Sequence, residues 1–155
     1  MGSFACGYDS TVSAENAFAG GGATASGKMS FAFGVNSEAK KLHSVVFGSN
    51  SIAKGDYGVA LGNGLIADSH QLVIGKYNKT NSNHAFIIGN GVGDTTTNRK
   101  TVFYISDTGD VYADGDITAT GYITATNMPS LPFAVGTYVL VGSKNATGQK
   151  GTFTW

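Results

Sequence analysis

Three histidines recur at one spacing and are the first residues of this chain that could bind a metal ion. His43, His70 and His84 each lie five residues before a glycine. Imidazole is a common metal ligand, and in consecutive coils of a repetitive fold His70 and His84 would stack about 4.8 Å apart. Residues with no shared metal chemistry fill the same slot elsewhere, namely Asn16, Met29 and Tyr57. A metal site and a turn or interface position are therefore the two interpretations.

An acidic cluster is the second candidate for chemistry. Asp107, Asp110, Asp114 and Asp116 could form a calcium loop or a carboxylate pair for glycoside cleavage. The cluster lacks the spacing and the closing glutamate of an EF-hand. We therefore interpret these residues as solvent-facing positions on a turn and a strand.

Two further motifs, a single cysteine and a glycine-rich segment, lack the neighbouring residues that catalysis or phosphate binding needs. Cys6 has no matching His and Asn or Asp motif, so we expect a small buried residue rather than a nucleophile. The glycines of 89–93 lack the lysine and the following helix of a phosphate-binding loop. The sequence therefore predicts no enzyme, no catalytic residue and no cofactor.

The composition excludes several classes of protein. The 155 residues include 23 glycines, only 13% are charged, and the formal net charge is zero. Disordered proteins need high net charge, and nucleic-acid-binding proteins need a basic face. No apolar run is long enough to span a membrane. We therefore expect no nucleic-acid partner and no membrane insertion, and the glycine excess needs another explanation.

The glycines divide the first part of the chain into repeats. Seven of them recur at intervals of 13 or 14 residues: Gly7, Gly21, Gly34, Gly48, Gly62, Gly75 and Gly89. A large apolar residue lies three positions before each glycine, and a smaller or β-branched residue lies two positions before it. This period is too short for helix-pair repeats, and it suits one coil of a flattened β-solenoid.

The apolar run before each glycine predicts a strand that is covered on both faces. One face packs inside the coil, and the other needs a neighbouring chain, which favours a closed homo-oligomer. The glycine would supply a positive φ angle or a close backbone approach at each corner. Because each coil adds about 4.8 Å, seven coils would make a stem of roughly 30 Å.

Two of these repeats carry a family resemblance. Ser44–Ala53 and Val59–Ala67 resemble the head repeat of YadA-like trimeric autotransporter adhesins, whose consensus has the form S-V-A-I-G-x-x-x-x-A. The resemblance covers about residues 3–91. It implies an all-β fold in which residues 1–91 form a left-handed parallel β-roll of seven coils, within an intertwined homotrimer.

A shorter period follows. Thr101–Ser106 and Val111–Ala113 are predicted to form a hairpin around the turn sequence of 107–110. A six-residue period then places Val111, Ile117 and Ile123 in one slot. Three copies are too few to bury a core in one chain, so residues 92–127 are predicted to form a hairpin and a trimeric β-helix shaft. This stretch resembles the shaft motifs of bacteriophage tail fibres.

Residues 128–155 differ from both repeats. A linker with both prolines precedes two predicted strands, 137–141 and 151–155, of a small C-terminal β segment. The pattern breaks off in mid-strand, so we expect a fragment of a longer fibre. Tyr138 and Trp155 are the candidate receptor-binding aromatics.

Three functions remain open at this point. The first is a trimeric, non-catalytic segment of a phage or prophage tail fibre, located on the virion, whose partners are other tail proteins and a glycan or protein of the host cell surface. The second is the head of a trimeric autotransporter adhesin on the bacterial outer surface. The third is a fragment of a tail-spike polysaccharide depolymerase.

Overall fold

A computed structural model describes residues 2–118, 141–142 and 151–152. The chain divides into two compact units, residues 1–117 and 118–155. The described residues form strands and turns, and none of them belongs to a helix that could cross a membrane.

The first unit consists of two sheets, which we name the long sheet and the short sheet. The long sheet has nine strands: β1 (Phe4–Cys6), β3 (Phe18–Gly20), β5 (Phe31–Phe33), β7 (Val45–Ser49), β9 (Val59–Asn63), β11 (Leu72–Lys76), β12 (His84–Asn90), β13 (Thr101–Ser106) and β14 (Val111–Ala113). The short sheet has five strands: β2 (Thr11–Val12), β4 (Thr24–Ala25), β6 (Glu38–Ala39), β8 (Ile52–Ala53) and β10 (Ile66–Ala67).

The chain alternates between the two sheets, and equivalent residues of successive repeats pair in parallel. Val45 lies beside Val59, and Val59 lies beside Leu72. The predicted β-solenoid with a period of about 14 residues is thereby confirmed. The seven predicted coils make about six turns, because the long-sheet strand β12 is followed by the antiparallel strand β13 rather than by another coil.

Small side chains fill the space between the two sheets. The core consists mainly of alanines that have no exposed surface, such as Ala32 and Ala60 of the long sheet and Ala39 and Ala53 of the short sheet. These alanines are the small residues that the repeat places two positions before and five positions after each glycine. Because close packing leaves no room for larger groups, the roll is thin.

Each turn of the roll is closed at two corners by residues with left-handed backbone angles. One corner uses the slot five residues before the glycine, where φ is between 54° and 59° for Asn16, Met29, His43, Tyr57 and His70. The other corner uses Asp9, Gly22, Asn36, Asn50, Gly64 and Tyr77. The sequence predicted that the repeat glycines would make the corners; they do have positive φ angles up to Gly75, but other residues share the task.

The short sheet ends at β10 because side chains occupy its edge. The buried Asn78 amide accepts a hydrogen bond from the Ile66 N–H (2.9 Å) and donates one to the Ile66 carbonyl (3.0 Å), as a further strand would. The buried Arg99 guanidinium donates to the carbonyls of Gly64 (2.8 Å) and Asn78 (3.1 Å), and it pairs with Asp94. An edge satisfied in this way has no free groups for another strand.

The long sheet continues past this point as the hairpin that the sequence predicted. β13 pairs antiparallel with β12 and with β14, and the turn of 107–110 joins β13 to β14. The β12–β13 register shifts between His84 and Phe86, which is a β-bulge or irregularity. Such a shift changes the direction of the side chain beside it.

In the second unit, β15 (Val141–Gly142) pairs antiparallel with β16 (Gly151–Thr152). The predicted shaft position Ile123 and the predicted receptor aromatics Tyr138 and Trp155 lie outside the described residues. The shaft and the receptor site at these positions stay predictions.

Candidate assembly surface

The outward face of the long sheet carries the apolar side chains that the repeats leave uncovered. Side chains alternate between the two faces of a strand. In β7 the side chain of Val46 is fully buried between the sheets, so Val45 and Phe47 point away from the core. The sequence predicted cover on both faces of these strands, and within one chain only the inner face has it.

Two columns of apolar or small side chains run across this face, and together they define what we call the assembly surface. The first column is Phe4, Phe18, Phe31, Val45, Val59, Leu72 and Phe86; the second is Cys6, Gly20, Phe33, Phe47, Leu61, Ile74 and Ile88. Neither column contains a charged residue. Phe47 is 55% exposed, Leu61 41% and Leu72 40%, which is a large apolar exposure for a set of contiguous residues.

Aromatic rings reinforce the columns from coil to coil. Phe18 stacks on Phe31 with ring centroids 4.8 Å apart, and Phe33 stacks on Phe47 at 5.4 Å. An open groove of about 750 Å³ lies beside the second column. Its floor is the backbone of Gly48, Gly62 and Gly75 together with the side chains of Phe47 and Leu61. Ridges and grooves of this kind suit packing against another apolar surface.

The opposite face of the roll has a different character. Beside the short sheet, Glu38 of β6 pairs with Lys40 at 3.0 Å, and Lys54 and Asp68, which follow β8 and β10, pair at 3.1 Å. These exposed ion pairs are typical of a surface that stays in water. The outward face of the long sheet is therefore the more apolar of these two faces of the roll.

The repeat itself has a counterpart among known families. The sequence model described as the YadA head domain repeat matches residues 20–37, 25–51 and 39–64. Residues 20–64 therefore match the YadA head repeat. The resemblance seen in the sequence is thereby confirmed for this segment. No curated protein and no solved structure shows significant similarity to the chain.

The strand pairing extends the geometry of the YadA repeats in both directions. β1 pairs with β3 in the register of the matched segment, and β11 and β12 continue that register, with Gly75 beside Gly89.

Gly48 shows why the repeat needs a glycine at this position. Its φ is 146°, and an added Cβ would overlap the carbonyl oxygen of Gly62 in the next coil. That oxygen accepts a hydrogen bond from the Ser51 hydroxyl at 3.0 Å, which fixes its place.

The histidine slot of the YadA repeats is a corner position. His43, Tyr57 and His70 stack in one column with centroid separations of 5.2 and 5.1 Å, so Tyr57 separates the two imidazoles. His84 leaves the column: it belongs to β12, and its ring stacks on Tyr104 at 3.7 Å. The predicted stack of His70 on His84 is therefore wrong, because the shift at the start of β12 redirects His84. In the described part of the chain, no three His, Cys, Asp or Glu side chains are grouped to hold a metal ion.

The Asn81 side chain selects the tautomer of the neutral His84 ring. The Asn81 Oδ1 accepts a hydrogen bond from the Asn83 N–H at 3.0 Å, so its Nδ2 faces the His84 Nε2 at 3.1 Å. His84 Nε2 is then the acceptor, and the ring proton is on Nδ1, which is buried without a partner among the described residues. Burial lowers the pKa of His84, and the nearby Asp107 carboxylate opposes that effect.

This environment predicts a loss of stability in mild acid. Because the pKa of His84 is lower in the folded chain than its usual 6.5, the unfolded chain binds more protons as the pH falls below that value. The melting temperature should therefore fall between pH 7.5 and pH 5, with no effect of His84 above that range. His84→Phe keeps the stack on Tyr104 and removes the titration. An equally steep fall in this variant would contradict the assignment.

Of the other candidate residues, only Asp107 and Asp110 lie close together, in the hairpin turn. Asp107 and Asp110 are in the hairpin turn, Asp114 pairs with Lys100 at 2.7 Å, and Asp116 is exposed. Cys6 was predicted to be buried, but it is partly exposed, because its slot belongs to the second outward column of the assembly surface. The sequence predicted turn and strand positions for these aspartates; Asp107 and Asp110 do belong to the turn region, but Asp114 and Asp116 follow β14 and lie in no strand.

Sequence reasoning missed the residues that end the roll. Asn78 lies three positions after its repeat glycine, where earlier repeats have Ser37 and Ser51. The change from serine to asparagine at this position is a sequence signal that the repeat ends here. The Gln71 amide donates to the His84 carbonyl at 2.7 Å and its Oε1 accepts from the Asp68 N–H at 2.8 Å. Arg99 donates to the carbonyl of Gly64, 35 positions away, and no local sequence pattern predicts such a contact.

Proposed function

We propose that this chain is a segment of a trimeric, non-catalytic surface fibre that attaches to a host cell. The observation that carries the proposal is the assembly surface, which is apolar, uncharged and exposed in a single chain, within a segment of YadA head repeats. The fibre would present equal tips, so that weak contacts with a cell-surface glycan or protein add up to avidity.

Two classes of fibre protein fit this function. The YadA head repeats fit a bacterial autotransporter adhesin on the outer surface of the cell. The six-residue period at Val111, Ile117 and Ile123 favours a phage or prophage tail fibre on the virion, because autotransporter heads would be followed by coiled-coil heptads. In the described part of this period, Val111 and Ile117 are 58% and 65% exposed, which supports a need for neighbouring chains.

The mass of the particle in solution tests the assembly. Light scattering should give three times the chain mass of 15.9 kDa. In a closed trimer each chain contacts its two neighbours through two different patches, and the particle does not grow once the ring is closed. A mass of one chain at micromolar concentration would contradict the proposed assembly.

One substitution tests which face assembles. Phe47→Asp places a charge in the centre of the assembly surface, and we expect the particle to dissociate to single chains, because burying an unpaired charge costs several kcal/mol. Val92→Asp makes the same kind of change at a residue that is 80% exposed in a loop, and it should leave the mass unchanged. A trimeric Phe47→Asp variant would move the interface to another face.

A further inference from the structure

A polar cavity at the end of the roll has no role in the assembly surface. It has a volume of about 480 Å³, and it lies between the loop of 81–83, the first residue of β12 and the hairpin turn of 106–110. Tyr104 forms part of its wall. Its residues occupy neither of the two outward columns.

The walls of the cavity are held in place by hydrogen bonds among themselves. The Asp107 N–H donates to the Asn83 carbonyl at 2.9 Å, which ties the turn to the loop. The Thr108 hydroxyl donates to the Asp110 carboxylate at 2.8 Å, and the Asp110 N–H donates to the Ser106 hydroxyl at 2.9 Å. A ligand would therefore enter a site that is already ordered, which lowers the entropy cost of binding.

The lining selects the chemistry of a ligand. The carboxylates of Asp107 and Asp110 accept hydrogen bonds, and the amides of Asn81 and Asn83 both donate and accept. No lysine or arginine lines the cavity, so the site disfavours anions. Among the described residues no group of side chains suits a metal ion. Vicinal hydroxyl groups, which also donate and accept, match this lining, and the stacked rings of His84 and Tyr104 form part of the same wall.

We infer that this cavity, which we name the turn cavity, binds a neutral saccharide. The register shift in β12 serves this site, because it moves His84 out of the corner column and onto Tyr104, where the ring joins the cavity wall. Its biological meaning rests on the proposed attachment function. In that function the receptor would be a neutral glycan, and it would bind at the hairpin turn.

Saturation-transfer difference NMR on the full chain tests the site, with glucose, galactose, mannose, rhamnose and N-acetylglucosamine as probes. At least one should show saturable binding at millimolar concentration. Asp107→Asn removes a charged acceptor and should weaken that binding about tenfold or more. Asp116→Asn changes an exposed carboxylate outside the cavity and should leave the affinity unchanged.

The outcomes separate the site from the proposed function. No signal from any of these sugars, or equal affinity of the Asp107→Asn variant, overturns the site even if the particle is a trimer that attaches to cells. Tighter binding of the anionic sugar N-acetylneuraminic acid also overturns it. Sugar binding that depends on Asp107, in a protein that does not attach to cells, supports the site and contradicts the proposed function.

Discussion

Replacing Gly62 with alanine should destabilise the roll by at least about 3 kcal/mol, and at 37 °C we expect little folded protein. Two effects act together. The φ angle of Gly62 is 147°, a region that an alanine adopts only under strain, and the new Cβ would overlap the carbonyl oxygen of Gly75. This oxygen belongs to the backbone of the next coil, so it cannot move without disturbing the strand pairing of β9 and β11.

Gly21→Ala is the matched control, because Gly21 belongs to the same set of repeat glycines. Its φ is 67°, which alanine adopts at a cost of about 1–2 kcal/mol, and the nearest atom to an added Cβ is 3.5 Å away, an ordinary contact. Urea unfolding of both variants at one protein concentration gives the comparison, since the stability of an oligomer depends on concentration. Equal losses in the two variants would show that overlap between coils is not the reason for the glycine.

Replacing Arg99 with methionine should lower the free energy of unfolding by about 2–4 kcal/mol. Methionine keeps an apolar stem of similar length and removes the guanidinium. The carbonyls of Gly64 and Asn78 would each lose their Arg99 donor at the buried end of the short sheet. The Tyr77 ring would also lose the cation above it, 6.0 Å from the ring centroid.

Lys100→Met is the control for Arg99, at the adjacent position and with the same replacement. Lys100 makes an exposed ion pair with Asp114, which raises the pKa of its amino group, and water screens such a pair. We expect thermal unfolding of this variant close to that of the parent. Hydrogen exchange adds a local readout: the Ile66 amide, bonded to the Asn78 side chain, should lose protection in Arg99→Met first. A variant as stable as the parent would show that Asn78 closes the sheet alone.

Much of the roll follows from the sequence because its contacts are between neighbours in the repeat. A residue contacts its equivalent one coil away, so a period of about 14 residues fixes the pairing of Val45 with Val59 and of Gly48 with Gly62. The turn sequence of 107–110 fixed the hairpin for a similar local reason.

The predicted stacking of His84 on His70 was wrong because the repeat ends at β12. The spacing put His84 in the slot of His70, but the strand that follows β12 is antiparallel, and a register shift turns His84 onto Tyr104. The turn cavity also had no signal in the sequence. Its walls come from segments more than 20 positions apart, 81–83 and 106–110, which only the pairing of β12 with β13 brings together.

By itself, the sequence determined the class of fold, the period and the glycine positions, because these depend on local sterics and on contacts that every coil repeats. Only the tertiary structure decided where the roll stops, how Asn78 and Arg99 close its short sheet, and which face is left apolar and uncovered. Those features depend on single contacts between distant residues. A contact that occurs only once produces no periodic pattern in the sequence.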